Sequence, residues 1–179
     1  FHNMEFRIRQ LREAVAADKA GRKAKVQHLI DSIERDADEM CKAECLYREG
    51  KLPKRVCHCD TKVSNMLFDA DGKVLCVIDL DTVHFNMPVF QSFAKGYLES
   101  AGKFLTPLEI EMLPYAVMLF PYMQAVRFLT DYLDGDLYYQ TRYAEHNYVR
   151  TLAQYKLYQE TVKAAPSMQD YIHSLVKTI

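Results

Sequence analysis

One short stretch of β-strand character lies between two long segments with helical periodicity, and this order constrains the fold most. Residues 66–68 and 73–78 have the composition of two strands. Asp71–Gly72 between them is a strong hairpin signal, because Gly adopts positive φ at no steric cost. Helical patterns occupy most of the remaining chain, at residues 4–18, 22–48, 87–101, 106–133, 145–163 and 167–177. The predicted fold class is therefore mainly α with a small β-hairpin (α+β).

Capping residues and prolines predict where these helices begin and end. Thr106 and Glu109 fit the N-cap and third position of a capping box. Gly135 is expected to end the helix that follows, and Pro114 and Pro121 to kink or break it. In the two segments before the hairpin, an apolar stripe is expected to face the core: Phe6, Leu11 and Val15, then Val26, Leu29, Ile30, Ile33, Ala37 and Met40.

Composition indicates a globular domain that binds neither nucleic acid nor membrane. The chain has 179 residues and a formal net charge of -1, which gives no global electrostatic reason to expect either partner. The longest apolar run, 114–126, is interrupted by Pro121 and Gln124 and is too short to cross a bilayer. The chain does not begin with Met, and we expect it to start inside a longer protein.

Five cysteines, an odd number without regular spacing, do not form a disulfide framework: Cys41, Cys45, Cys57, Cys59 and Cys76. A reducing, cytoplasmic compartment is the simpler interpretation. Cys57-His-Cys59 raises the alternative of a zinc site. The spacing is not the usual Cys-x-x-Cys knuckle, so free thiols are favoured.

The residues that carry chemistry surround the predicted hairpin. His58, Asp60 and Asn65 fit the pattern His-x-Asp-x4-Asn, and the second strand ends at Asp79. Kinase-type phosphoryl transfer needs a carboxylate that accepts the proton of the attacking hydroxyl, and an amide oxygen and a second carboxylate that hold Mg²⁺. The hairpin carries the chain out from Asn65 and back, so that Asp79 is expected to face Asn65 across one ion.

Segments 58–65, 78–82 and 127–136 resemble the aminoglycoside phosphotransferase and choline kinase family, and most of all its N-acetylhexosamine 1-kinases. The resemblance implies the C-terminal lobe of a protein-kinase-like fold that uses ATP and Mg²⁺. No counterpart of the N-terminal nucleotide lobe is present in this chain.

The resemblance also implies the role of each site residue. Asp60 is the catalytic base, and Asn65 and Asp79 bind Mg²⁺ and, through it, the nucleotide. His58 shapes the catalytic loop, and Lys62 lies near the transferred phosphate.

One further residue is expected at the metal site, and three are expected at the acceptor side. Asp81 takes a second metal ion or orients the loop, and Thr82 borders the cleft. Arg127 lies in an apolar helix, where it either forms a structural ion pair with Asp131 or binds sugar hydroxyls. Tyr138 contacts the sugar or packs on the protein.

The resemblance makes residues 1–179 a single C-terminal catalytic lobe. Residues 58–82 form its catalytic loop and metal-binding hairpin, and residues 84–179 its helical acceptor-binding part. Family members carry a further loop and helix after the strand, whereas here Val83 runs straight into His84. Either that segment is lost, or residues between Val83 and His84 are missing from the numbering.

The predicted reaction is transfer of the γ-phosphate of ATP to a hydroxyl of a small molecule, with the anomeric hydroxyl of an N-acetylhexosamine as the best candidate. A choline, ethanolamine, homoserine or aminoglycoside kinase is the near alternative. A non-catalytic kinase-like binding module is the alternative of another class.

Overall fold

The computed structural model describes residues 2–55 and 85–177 in full, and the backbone of 67–68 and 74–76. Within these residues the chain is mostly helical. Its elements are α1 Met4–Ala17, α2 Lys23–Met40, α3 Lys42–Arg48, β1 Leu67–Phe68, β2 Val74–Cys76, α4 Met87–Ala101, α5 Pro107–Glu111, α6 Leu113–Asp134 and α7 His146–Val176.

The two strands pair antiparallel, with Leu67 opposite Cys76 and Phe68 opposite Val74. Both lie inside the segments for which strands are predicted. The turn that would join them, residues 69–73, lies outside the described residues, so the complete hairpin stays a prediction.

Helix α1 begins where Asn3 accepts a hydrogen bond of 2.6 Å from the amide of Phe6. The prediction of a helix at 4–18 is confirmed, but part of its apolar stripe is wrong. Phe6 is exposed, and the buried side chains are Met4, Ile8, Leu11 and Ala14. For α2 the stripe is confirmed, since Val26, Leu29, Ile30, Ile33, Ala37 and Met40 are all buried.

The prediction of one helix over 22–48 is wrong at Cys41, where α2 ends and α3 begins. Tyr115 of α6 supplies the reason. Its hydroxyl donates to the carbonyl of Met40 at 2.7 Å and accepts from the amide of Ala43 at 3.4 Å. A side chain that inserts into the helical hydrogen-bond ladder breaks it, and neither Gly nor Pro is needed at the break.

The segment 106–133 is divided just before Pro114, the first of the two prolines that are expected to kink or break it. Thr106 and Glu109 form the predicted capping box of α5, and the division falls at Met112. Pro114 lies in the first turn of α6, where its missing amide costs no helical bond. Pro121 lies inside α6 without ending it.

The prediction of two helices at 145–163 and 167–177 is wrong, because α7 is a single helix through Pro166. Proline removes the amide that would bond to the carbonyl of Val162. Both Val162 and Pro166 are exposed, so water can satisfy that carbonyl.

Two apolar clusters hold the described helices together. The larger one joins α1, α2, α6 and the middle of α7, with Tyr122 and Tyr132 among its fully buried side chains. The smaller one joins α4 to the end of α7, through Phe90, Met168 and Ile172. Helix α7 belongs to both clusters and therefore links the two halves of the described structure.

Candidate functional site

The catalytic and metal-binding part of the predicted site lies outside the described residues, which leave out 56–66, 69–73 and 77–84. These assignments stay predictions: His58, Asp60, Lys62, Asn65, Asp79, Asp81 and Thr82. The suspected discontinuity between Val83 and His84 lies there too. Arg127 and Tyr138 are described, and the structure brings them together.

Arg127 faces the aromatic pair that follows α6. Its guanidinium carbon lies 5.4 Å from the ring centre of Tyr139 and 6.0 Å from that of Tyr138. It also donates a hydrogen bond of 3.1 Å to the side chain of Gln124. At these distances a guanidinium is attracted by the ring faces. Arg127 is half-buried, so part of its surface is open to solvent.

Tyr138 and Tyr139 form an edge-to-face pair with ring centres 4.8 Å apart. The Tyr139 ring also packs on Phe128 at 4.7 Å. Tyr138 is 71% exposed, so packing does little to fix its ring. The Tyr139 hydroxyl is buried and has no hydrogen-bond partner in the described structure. Burial raises the pKa of Tyr139, against an opposing effect of Arg127.

A second guanidinium belongs to the same cluster and was not predicted. Burial and the nearby charge of Arg127 lower the pKa of Arg7, while Tyr139 and Tyr138 act in the opposite direction. Arg7 comes from α1, 120 positions from Arg127 in the sequence. The one local signal is that it lies between Met4 and Leu11 at helical spacing, beside the buried face of α1.

Asp131, the expected ion-pair partner of Arg127, binds three other donors. It is 6% exposed. Its carboxylate accepts from the amides of Tyr138 at 2.8 Å and Tyr139 at 3.0 Å, and from the side-chain amide of Asn147 at 2.8 Å. Asp131 therefore connects the end of α6 to the segment that carries the two tyrosines and to the start of α7.

Asp136 continues this polar network toward α1 and α2. It has a positive φ of 61°, a conformation that Asp tolerates better than most residues. Its carboxylate accepts from Asn147 at 2.9 Å and forms an ion pair of 2.6 Å with Arg22. Arg22 in turn lies over the ring of Tyr132 at 4.5 Å. The segment between α6 and α7 is thus tied down from two sides.

No group of three or more His, Cys, Asp or Glu side chains that could hold a metal ion occurs in the part of the chain that the structure describes. Cys41 and Cys45 are free thiols. Burial raises the pKa of Cys41 to about 12, which keeps its thiol protonated and unreactive near neutral pH. Across residues 2–55 and 85–177, none of the helices has the length and apolarity that a bilayer span requires.

The sequence model of the phosphotransferase enzyme family, abbreviated APH, matches residues 1–90. The match covers just over half of the 179 residues and includes the whole segment from His58 to Thr82. The family expected from those residues is therefore confirmed, and the chain belongs to the phosphotransferase enzyme family.

Proposed function

We propose that this protein is an ATP-dependent small-molecule kinase that phosphorylates the anomeric hydroxyl of an N-acetylhexosamine. The observation that carries the proposal is the family match over residues 1–90, which includes the complete set of base and metal-ligand candidates. The described cluster of Arg127, Tyr138 and Tyr139 supports the acceptor class.

The proposed reaction assigns one task to each residue of the motif. The Asp60 carboxylate accepts the proton of the acceptor hydroxyl as its oxygen bonds to the γ-phosphorus, and the bond from that phosphorus to the bridging oxygen of ADP breaks. Lys62 lies near the transferred phosphate, and His58 shapes the loop. Amide and carboxylate oxygens suit Mg²⁺, and Asn65 and Asp79 would hold it.

Asp81 and Thr82 complete the proposed site, at the metal ion and at the acceptor respectively. Asp81 would add a further carboxylate to the metal site, and Thr82 would border the acceptor. When Mg²⁺ is bound, it neutralises charge on the phosphates. This part of the proposal rests on the motif and on its resemblance to the N-acetylhexosamine 1-kinases.

The charge of the described cluster favours an uncharged acceptor over a cationic one. The positive charge of Arg127 is near enough to lower the pKa of Arg7, and Arg127 already lies against both tyrosine rings. Choline, ethanolamine or an aminoglycoside would meet repulsion there and would compete with Arg127 for the aromatic faces. Guanidinium groups carry several N–H donors, which suit the hydroxyl groups of a sugar.

The proposal places the chain in the C-terminal lobe of a kinase-like fold. The 66–78 hairpin would bear the metal site. A further loop and helix would follow Val83 in the intact protein. A cytoplasmic location agrees with the expected free thiols. The alternative function is that of a non-catalytic binding module. A phosphoryl-transfer assay decides between the kinase and the binding module.

The test is a phosphoryl-transfer screen of the full-length protein with Mg²⁺-ATP. The acceptor panel contains N-acetylglucosamine, N-acetylgalactosamine, choline, ethanolamine, homoserine and an aminoglycoside. We expect turnover with an N-acetylhexosamine and a product whose ³¹P spectrum shows an anomeric phosphate. Preference for choline would overturn the acceptor assignment. Nucleotide binding without transfer to any acceptor would favour the binding module.

A further inference from the structure

The segment that carries Tyr138 and Tyr139 is held by backbone hydrogen bonds to the end of α6. Gly135, with φ of 101°, and Asp136 both donate their amides to the carbonyl of Asp131. The carboxylate of the same residue accepts the amides of Tyr138 and Tyr139. One aspartate therefore receives four backbone amides from the five residues 135–139.

Asn147 completes this arrangement from α7. It is fully buried, and its side-chain amide donates to both Asp131 and Asp136. The Asn147 oxygen accepts a hydrogen bond of 3.1 Å from Arg150, which also donates to the carbonyl of Gln140 at 3.3 Å. The ends of the segment are thus tied to the first turn of α7 as well as to α6.

These ties set where the aromatic pair lies relative to Arg127. The Tyr138 ring is 71% exposed, so its position depends on its backbone more than on packing. Arg127 lies one helical turn before Asp131 on α6, so the anchor and the guanidinium share one rigid element. A buried carboxylate whose hydrogen bonds are satisfied holds its partners in a defined geometry.

We propose that Asp131 and Asn147 are positioning residues for acceptor recognition, because they hold Tyr138 and Tyr139 against Arg127. This inference rests on the proposed function. Neither residue touches the acceptor. Their removal is expected to weaken acceptor binding and to leave nucleotide binding unchanged.

The experiment compares Asn147→Ala with Thr161→Val in the full-length protein. Thr161 is a matched control, since it is a buried polar residue of the same helix, and its hydroxyl donates to the carbonyl of Tyr158 within α7 itself. We expect Asn147→Ala to raise the KM for N-acetylhexosamine about tenfold, because the aromatic pair is no longer held against Arg127; tenfold corresponds to about 1.4 kcal/mol of acceptor binding. The KM for ATP should stay within about twofold, and Thr161→Val should change neither constant.

Arg150→Ala serves if Asn147→Ala fails to fold. Arg150 is only half-buried, and its removal cuts the tie to Gln140 while leaving Asp131 in place. We expect Arg150→Ala to raise the KM for the acceptor by less than about tenfold and to leave the KM for ATP unchanged. Unchanged acceptor kinetics in the folded variants would overturn the inference.

A reporter that does not depend on activity tests the anchoring itself. Residues 1–179 contain no tryptophan, so Tyr138→Trp introduces the one indole within them, at the segment. Adding Asn147→Ala to that background should lower the fluorescence anisotropy of this indole, and adding Thr161→Val should not. Equal anisotropy of the indole in the two double variants would overturn the anchoring role of Asn147. If the segment loosens but Arg127→Ala leaves sugar kinetics unchanged, the acceptor site of the proposed function is what fails.

Discussion

Arg55 and Glu109 are joined by two hydrogen bonds, each of 2.7 Å, in a forked arrangement. Arg55 also donates to the carbonyl of Phe104 at 2.8 Å. The Glu109 carboxylate accepts the amide of Thr106 at 2.7 Å, which completes the capping box of α5. One carboxylate therefore caps α5 and holds the chain three residues before His58, where the predicted catalytic loop begins.

Removal of the Glu109 charge is expected to destabilise the protein at neutral pH. Arg55 is more than a third exposed, so solvent screens the pair. We expect Glu109→Gln to lower the free energy of unfolding by about 1 kcal/mol. Urea denaturation at pH 7 measures this value. Lys95→Gln is a suitable control, because Lys95 forms only an exposed pair with Glu99.

The same pair predicts a pH dependence in acid. Its hydrogen bonds with Arg55 lower the pKa of Glu109 to about 2. A lowered pKa in the folded state gives stability that is present above the unfolded value of 4.5 and is lost as pH falls toward 2. The stability difference between the wild type and Glu109→Gln should therefore shrink between pH 4.5 and pH 2. A stability difference that stayed constant between pH 4.5 and pH 2 would contradict the lowered pKa of Glu109.

Buried tyrosines predict a loss of stability in alkali. Burial raises the pKa of Tyr115, Tyr122 and Tyr158 above the ordinary value of 10. These groups ionise at a lower pH in the unfolded chain than in the folded one. Their contribution to the free energy of unfolding is therefore present below pH 10 and is lost as pH rises further. The unfolding free energy, measured between pH 8 and pH 11, should fall above pH 10.

Tyr122→Phe provides the control for this alkaline effect. It removes one ionisable hydroxyl and its hydrogen bond of 2.6 Å to the carbonyl of Ile33. The free energy of unfolding of this variant should be about 1 kcal/mol lower at neutral pH, and it should fall less steeply above pH 10. If the free energy of unfolding of the variant fell as steeply above pH 10 as that of the wild type, Tyr122 would be excluded as a contributor to the alkaline effect.

Asp60→Asn should separate chemistry from binding. If Asp60 is the base, turnover should fall by roughly two to four powers of ten, with fold and ATP binding nearly intact. Asn65→Ala and Asp79→Ala should instead weaken the binding of Mg²⁺-ATP, since each removes a metal ligand. Steady-state kinetics and nucleotide titration measure both effects. Full activity of Asp60→Asn would remove it from the role of base.

Arg127→Ala should raise the KM for the sugar by about tenfold with little change in the KM for ATP. Arg9→Ala is a matched control, because Arg9 on α1 is 66% exposed and pairs only weakly with Glu13 at 3.9 Å. An unfolded Arg127→Ala would favour a structural role. A folded variant with unchanged sugar kinetics would place Arg127 outside the acceptor site.

Local sequence determined the features that depend on neighbouring residues. The capping box of Thr106 and Glu109, the end of α6 at Gly135 and the buried stripe of α2 all follow from short-range spacing, and the structure has each of them. The phosphotransferase family also followed mainly from residues 58–82, because the predicted catalytic loop and metal strand lie close together in the chain.

The tertiary structure decided what depends on distant partners. Tyr115 divides the helix at Cys41 across more than 70 positions, and no local residue signals that break. Arg7 reaches Arg127 only because α1 packs on α6. An ion pair with Asp131 was one of the two roles expected for Arg127, yet the turn after α6 offers Asp131 backbone amides that a helical pattern cannot reveal. Such contacts depend on the packing of whole helices, whereas caps and stripes depend only on spacing along one helix.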